Sequence, residues 1–186
     1  MNPQLWWYAS RATGVVAWGL ASLSVLLGLA LSGRPFGRNP TGPWLLDLHR
    51  FLGGLTMLFV GAHVGSIAAD SFVHFGWADL LVPLASGWKP AAVAWGIVAM
   101  YFLAAIELTS LAMKRIPKRV WRGVHMTSVM VFLASTLHLL TAGTDRGNEL
   151  LRMSAVAVTA VGTFLLAYRV VAANQPKAEP RRRVPA

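Results

Sequence analysis

The sequence predicts an all-α integral membrane protein, a bundle of about five transmembrane helices. Three observations predict it. Hydrophobic residues make up 55% of the 186 residues and charged residues only 13%, against about 25% charged in a typical soluble domain. Five apolar runs are each long enough to cross a bilayer, which takes about 20 helical residues. Lys and Arg are shared very unequally between the two sides that these runs define.

The spans fall at about 12–32, 44–68, 90–113, 119–141 and 150–172. Residues 1–10 hold no basic residue, so the first run lacks the charged start of a secretory signal peptide and is expected to be retained. The Gly/Pro-rich stretch GRPFGRNPTGP makes the turn between spans one and two. A longer connection, 70–89, contains SFVHFGWADLLVP and reads as a short amphipathic segment lying at the membrane interface. Residues 1–173 thus form the membrane domain. Residues 174–186 are basic and Pro-rich and are expected to be a disordered tail.

With five spans, the loops after spans one, three and five share a side. That side carries thirteen of the seventeen Lys and Arg residues, including Arg50, the cluster from Lys114 to Arg122, and Arg181 to Arg183. The other carries Arg11, Lys89, Arg146 and Arg152. The positive-inside rule then puts the N-terminus outside and the C-terminus in the cytoplasm of a cell inner (plasma) membrane. Trp6, Trp7, Tyr8, Trp77 and Trp88 fall near the outer boundary, and Trp44 and Trp121 near the inner one, as interfacial belts do. The net charge of +10 therefore marks topology, not nucleic-acid binding.

Cysteine is absent. That excludes thiolate zinc, cysteine-ligated iron–sulfur clusters, disulfides and covalently attached c-type haem. Histidine remains as the strong metal ligand. His49 and His63 lie in span two, 14 residues apart, and His125 and His138 in span four, 13 apart. Those separations are about 21 and 20 Å along a helix. The two spans run the same way, so His49 matches His125 in depth near the cytoplasmic face, and His63 matches His138 near the outer one. A haem iron takes axial ligands from opposite sides. Two facing pairs therefore predict haem between spans two and four, with spans one and three closing the sides. A lone histidine in a span reads as a helix–helix hydrogen bond, but four at matched depths argue for function. One feature of the spacing is awkward. A step of 14 returns within about 40° of the same helix face, whereas 13 misses by about 140°. Span four needs a π-bulge, a twist, or ligands presented on different flanks.

The spacings H-x13-H and H-x12-H on alternate spans resemble the ferric reductase transmembrane domain of NADPH oxidases and ferric reductases. They are similar, too, to the haem-binding subunit of bacterial periplasmic methionine sulfoxide reductase. The stretches WYASRATGVVAW, HFGWADLLVP and WRGVHMTS…TLHLLTAGTD are similar to bacterial, particularly actinobacterial, members. The resemblance covers about residues 5–172. It implies two b-type haems, the inner held by His49 and His125 and the outer by His63 and His138. The larger relatives carry a C-terminal flavin and nicotinamide domain. These 186 residues contain no G-x-G-x-x-G motif and no room for a nucleotide fold. Electrons are thus expected from a separate cytoplasmic flavoprotein or from quinol.

Other residues carry weaker signals. Arg50 and Arg122 neighbour His49 and His125 and could bind haem propionates, since guanidinium pairs with carboxylate bidentately; topology marking is the plainer reading. Arg11 opens span one at the outer face. The resemblance offers it a propionate or an acceptor, against a snorkelling boundary charge. Phe132 lies midway between His125 and His138 and could line an electron path, though packing is the commoner role of a Phe in a span. Glu107 is an intramembrane acid, costly unless paired, and is expected to pair with Arg50 or Arg122, or to act near a quinone. His74 reads as a surface residue, and Met57, Met126 and Met130 as packing.

The expected function is an oxidoreductase subunit, a cytochrome b passing electrons across the bilayer to an acceptor outside. A narrower alternative is the haem subunit of a periplasmic reductase complex. An alternative of another class is a non-redox membrane protein whose histidines handle a metal ion or protons.

Overall fold

The computed structural model describes residues 4–33, 43–71 and 74–174. The turn expected between spans one and two (34–42) and the basic tail (175–186) lie outside the described residues.

Among the described residues, five helical stretches are long and apolar enough to cross a membrane. They are α1 (Leu5–Gly33), α2 (Pro43–Ala69), α4 (Pro90–Leu111), the pair α5 (Lys118–Met126) and α6 (Ser128–Ala142), and α7 (Glu149–Asn174). The short α3 (Trp77–Leu81) lies between α2 and α4. Proline placement permits this. Pro43 and Pro90 open their helices, where the missing N–H costs nothing, and Pro117 precedes α5. The spans are longer than their hydrocarbon cores. Helix α1 begins at Leu5, seven residues before the apolar run, because it continues through Trp6, Trp7 and Tyr8. Arg11 therefore sits two turns inside the helix rather than at its start. Among its described residues, the connection expected to be an amphipathic segment is mostly irregular, with the five residues of α3 helical and an edge-to-face contact of Phe75 with Trp88.

Helix α1 packs most extensively on α2 and also meets α6 and α7; α4 packs on α6, α5 and α2. Helix α2 makes no extensive contact with α5 or α6. The result is a ring of α1, α2, α4 and α5–α6, with α7 outside it against α1. The two histidine-bearing spans face each other across the ring. Apolar clusters seal its corners: Trp18, Leu139 and Ala155 join α1, α6 and α7, while Leu103, Ile106 and Val131 gather Met57 and Phe102 around them. Lys89, with a left-handed φ of 44°, caps α4 and donates its ammonium to the carbonyls of Thr141 and Ala142 at 3.3 and 3.4 Å. That satisfies the last carbonyls of α6 and fixes the α4–α6 register.

Span four is not one regular helix. It breaks at Thr127, whose N–H bonds the Val124 carbonyl at 3.0 Å and whose own carbonyl receives the Met130 N–H at 2.8 Å. These are three-residue, 3₁₀-type bonds. A 3₁₀ step advances about 120° against about 100° in an α-helix. The overwinding supplies part of the rotation that a 13-residue spacing lacks, and it does so between His125 and His138. Of the devices anticipated for this span, the structure uses a twist.

Trp18 and Thr136 are both buried, and the indole Nε1–H donates to the Thr136 hydroxyl at 3.0 Å, tying α1 to α6. Thr136→Val leaves that N–H unsatisfied at nearly unchanged volume. A loss of about 1 kcal/mol is expected in a detergent unfolding titration, whereas Thr109→Val, at a partly exposed position on α4, should cost less.

Candidate functional site

The four histidines form two layers. His49 and His63 share a face of α2, His125 is the penultimate residue of α5, and His138 lies in the second half of α6. The ring centres of His49 and His125 are 5.9 Å apart, and those of His63 and His138 are 6.2 Å apart. The depth matching expected from spacing is therefore realised in both layers. A metal–nitrogen bond is about 2 Å, and the ring centre lies ~1 Å behind the nitrogen, so two imidazoles on opposite sides of one metal have centres about 6 Å apart. Both layers meet that spacing.

Three of the histidines are held in the same way. The Nδ1–H of His63 donates to the Ser10 carbonyl at 2.7 Å, that of His138 to the Ala92 carbonyl at 2.8 Å, and that of His49 to the Ser24 carbonyl at 3.0 Å. A carbonyl can only accept, so the proton sits on Nδ1 and the Nε2 lone pair is left for a metal. Each acceptor is a helical carbonyl already engaged within its own helix. A carbonyl keeps a second lone pair, and a ring from a neighbouring helix reaches it where the helix surface is bare. Four residues beyond each carbonyl stands a glycine: Gly14, Gly96 and Gly28. A Cβ at Gly14 or Gly96 would lie 2.8 Å from a ring atom of His63 or His138, and one at Gly28 would lie 3.2 Å from His49. Sequence reasoning missed these six positions. The fourth histidine differs: His125 Nδ1 is buried and has no hydrogen-bond partner among the described residues. Its ring stacks instead on Trp121, with centres 5.0 Å apart and planes at 26°.

Around His63 and His138 the ring of helices encloses a mainly apolar cavity lined by Trp18, Val60, Ile97, Leu103, Val131 and Leu139, among others. Its mouth holds Arg11 and Asp145. The Arg11 guanidinium grips Asp145 with two nitrogens, Nε to Oδ2 at 2.9 Å and Nη2 to Oδ1. Arg11 is thus engaged by the loop that follows His138.

The other expected residues fall apart from the layers. Arg50 pairs with Asp47 on the exposed surface at 3.2 Å, and Arg122 is exposed. Neither meets Glu107, and the pairing expected for that acid is corrected. The Glu107 carboxylate is fitted into the notch at Gly53, one turn after His49, where a Cβ would sit 2.5 Å from Oε1. Phe132 is buried and packs towards Gly162 of α7, as a structural Phe does. Met57 packs beside Leu103, Met126 accepts a hydrogen bond from Arg169, and Met130 is exposed. His74 is exposed, with φ of 48°.

Among the described residues, no three His, Asp or Glu side chains converge as a metal site. Each layer offers two imidazoles, with centres 5.9 or 6.2 Å apart. An ion held there would bring its remaining ligands with it, as a planar macrocycle does, and the apolar walls suit such a ring.

The family model for the ferric reductase like transmembrane component matches residues 6–136. No curated protein matches the chain, and no solved structure does.

The Arg11–Asp145 pair is two-thirds buried and bidentate. A double-mutant cycle with Arg11→Gln and Asp145→Asn is expected to show a coupling of about 0.5–1 kcal/mol, falling as salt is raised.

Proposed function

The chain belongs to the ferric reductase like transmembrane component family, and on that premise we propose that it is a membrane cytochrome b carrying electrons across the bilayer through two bis-histidine haems. The observation that carries the proposal is the pair of layers, with imidazole centres at 5.9 and 6.2 Å. Their ligands lie 14 residues apart on the continuous helix α2, which is about 21 Å and most of a hydrocarbon core.

His49 and His125 would hold the haem nearer the cytoplasm, and His63 and His138 the one nearer the outer face, taking the N-terminus as outside by the charge asymmetry. When bound, haem supplies one-electron chemistry at its iron. The chain's own residues set the conditions for it. The carbonyls of Ser10, Ser24 and Ala92 hold three imidazoles in one tautomer and raise their basicity as ligands. Trp18, Leu103 and Val131 exclude water from the outer layer. Arg11 and Asp145 close its mouth. Electrons enter from a separate cytoplasmic flavoprotein or from quinol and leave to an acceptor outside. A haem subunit of a periplasmic reductase complex would use the same two sites.

A reduced-minus-oxidised spectrum of the detergent-purified protein, with haem counted per chain, tests this reading. A b-type spectrum with two haems per chain is expected, falling to one in His63→Ala and one in His125→Ala. Colourless protein from haem-replete cells would refute it and favour metal or proton handling by the same histidines.

The glycines give a second check. Gly14→Ala or Gly96→Ala drives a methyl into the His63 or His138 ring and should weaken retention of the outer haem by roughly 10–100-fold. Gly61→Ala, where the added methyl meets nothing within 4 Å, should leave both haems in place.

A further inference from the structure

The two layers are not equivalent, and the difference lies in one residue. His49, His63 and His138 each donate Nδ1–H to a helical carbonyl beside a glycine. His125 has neither, and its buried Nδ1 finds no partner among the described residues. The corresponding stretch of α4 also differs in sequence. His138 uses the Ala92 carbonyl, and 13 residues further along α4, matching the step back from His138 to His125, stand Ala105 and its neighbour Ile106. The Thr109 hydroxyl donates to the Ala105 carbonyl at 2.7 Å and lies 3.1 Å from that of Ile106. Thr109 stands four residues beyond Ala105, where the other three cradles have glycine. The backbone adds a second asymmetry. His125 is the penultimate residue of the short α5, and the helix breaks two residues later at Thr127. His49 and His63, by contrast, lie within the continuous α2.

Resting on the haem reading above, we propose that His125 is an exchangeable ligand. The inner haem would then take a small neutral ligand at its iron, while the outer haem stays closed. A donor hydrogen bond on Nδ1 fixes a ligating imidazole and strengthens its bond to the metal. An imidazole without one, next to the end of a short helix, gives way more readily. Trp121 offers the freed ring a surface to rest on, already stacked at 5.0 Å. Exchange breaks one iron–nitrogen bond and forms one bond to the incoming ligand, with no electron or proton transferred.

Carbon monoxide is the probe. Full-length haem-loaded protein is reduced with dithionite, titrated with carbon monoxide and followed by difference spectra. One of the two haems is expected to react. The double variant His63→Ala/His138→Ala keeps only the inner site and should react completely. The variant His49→Ala/His125→Ala keeps only the outer site and should not react. In wild-type protein alone, reaction of neither haem or of both would overturn the proposal, so the test stands even if a variant cannot be purified. Protein purified without haem would instead refute the cytochrome reading on which the proposal rests.

Discussion

One hydrogen bond organises this molecule: an imidazole N–H given to a helical carbonyl that already has a partner. A helical carbonyl keeps a second lone pair, and a donor from a neighbouring helix reaches it most easily where the side chain one turn on is missing. Glycine supplies the gap at Gly14, Gly28 and Gly96, each one turn beyond the carbonyl that is used. The bond does two jobs there. It satisfies the buried Nδ1, which would otherwise cost free energy, and it leaves the Nε2 lone pair uncommitted. Because α1 and α4 provide the carbonyls while α2 and α6 provide the imidazoles, the supporting helices must sit between the ligand-bearing ones. The packing follows that demand, with α1 on both α2 and α6, and α4 on both α6 and α2.

The central space follows from the same arrangement. Helices α2 and α6 are held apart by the helices that position their histidines, and the gap is walled by apolar side chains such as Val60, Ile97 and Leu103. The titratable groups that line it are His63, His138, Asp79 and the paired Arg11 and Asp145. Glu107 is set apart, its carboxylate tucked against Gly53 of α2. Helix α7 packs mainly on α1 and the loop before it, covering the flank of α1, and its Gly162 lies against Phe132 of α6.

Much of this was legible in the sequence. Five spans, the two histidine depths and the facing pairs follow from apolar run length and a rise of about 1.5 Å per residue. The helix ends were less legible, because an interfacial Trp6-Trp7-Tyr8 segment continues a helix without adding to its apolar run. The 3₁₀ break at Thr127 could be anticipated only as a phase error; nothing in the residues HMTS specified where the twist would fall. The cradles left a signal that was overlooked. S-x-x-x-G occurs twice in span one, at Ser10–Gly14 and Ser24–Gly28, with the same 14-residue step as His49 and His63. An antiparallel neighbour with the same step pairs its elements in reverse order, and Ser10–Gly14 meets His63 while Ser24–Gly28 meets His49. The fates of Arg11, Arg50 and Glu107 were beyond reach, since each depends on which side chain three-dimensional packing brings near.

The central claim is that two ligand layers on one continuous helix make a path across the membrane. It is tested most directly with the purified haem-loaded protein in sealed vesicles, with a reductant trapped on the side of the His49–His125 layer and an impermeant ferric acceptor on the other. Reduction of the external acceptor is expected with intact protein and should be lost in His63→Ala, whose remaining haem still becomes reduced. An acceptor that stays oxidised while both haems of the intact protein are reduced would contradict the claim, as would equal rates in the His63→Ala vesicles.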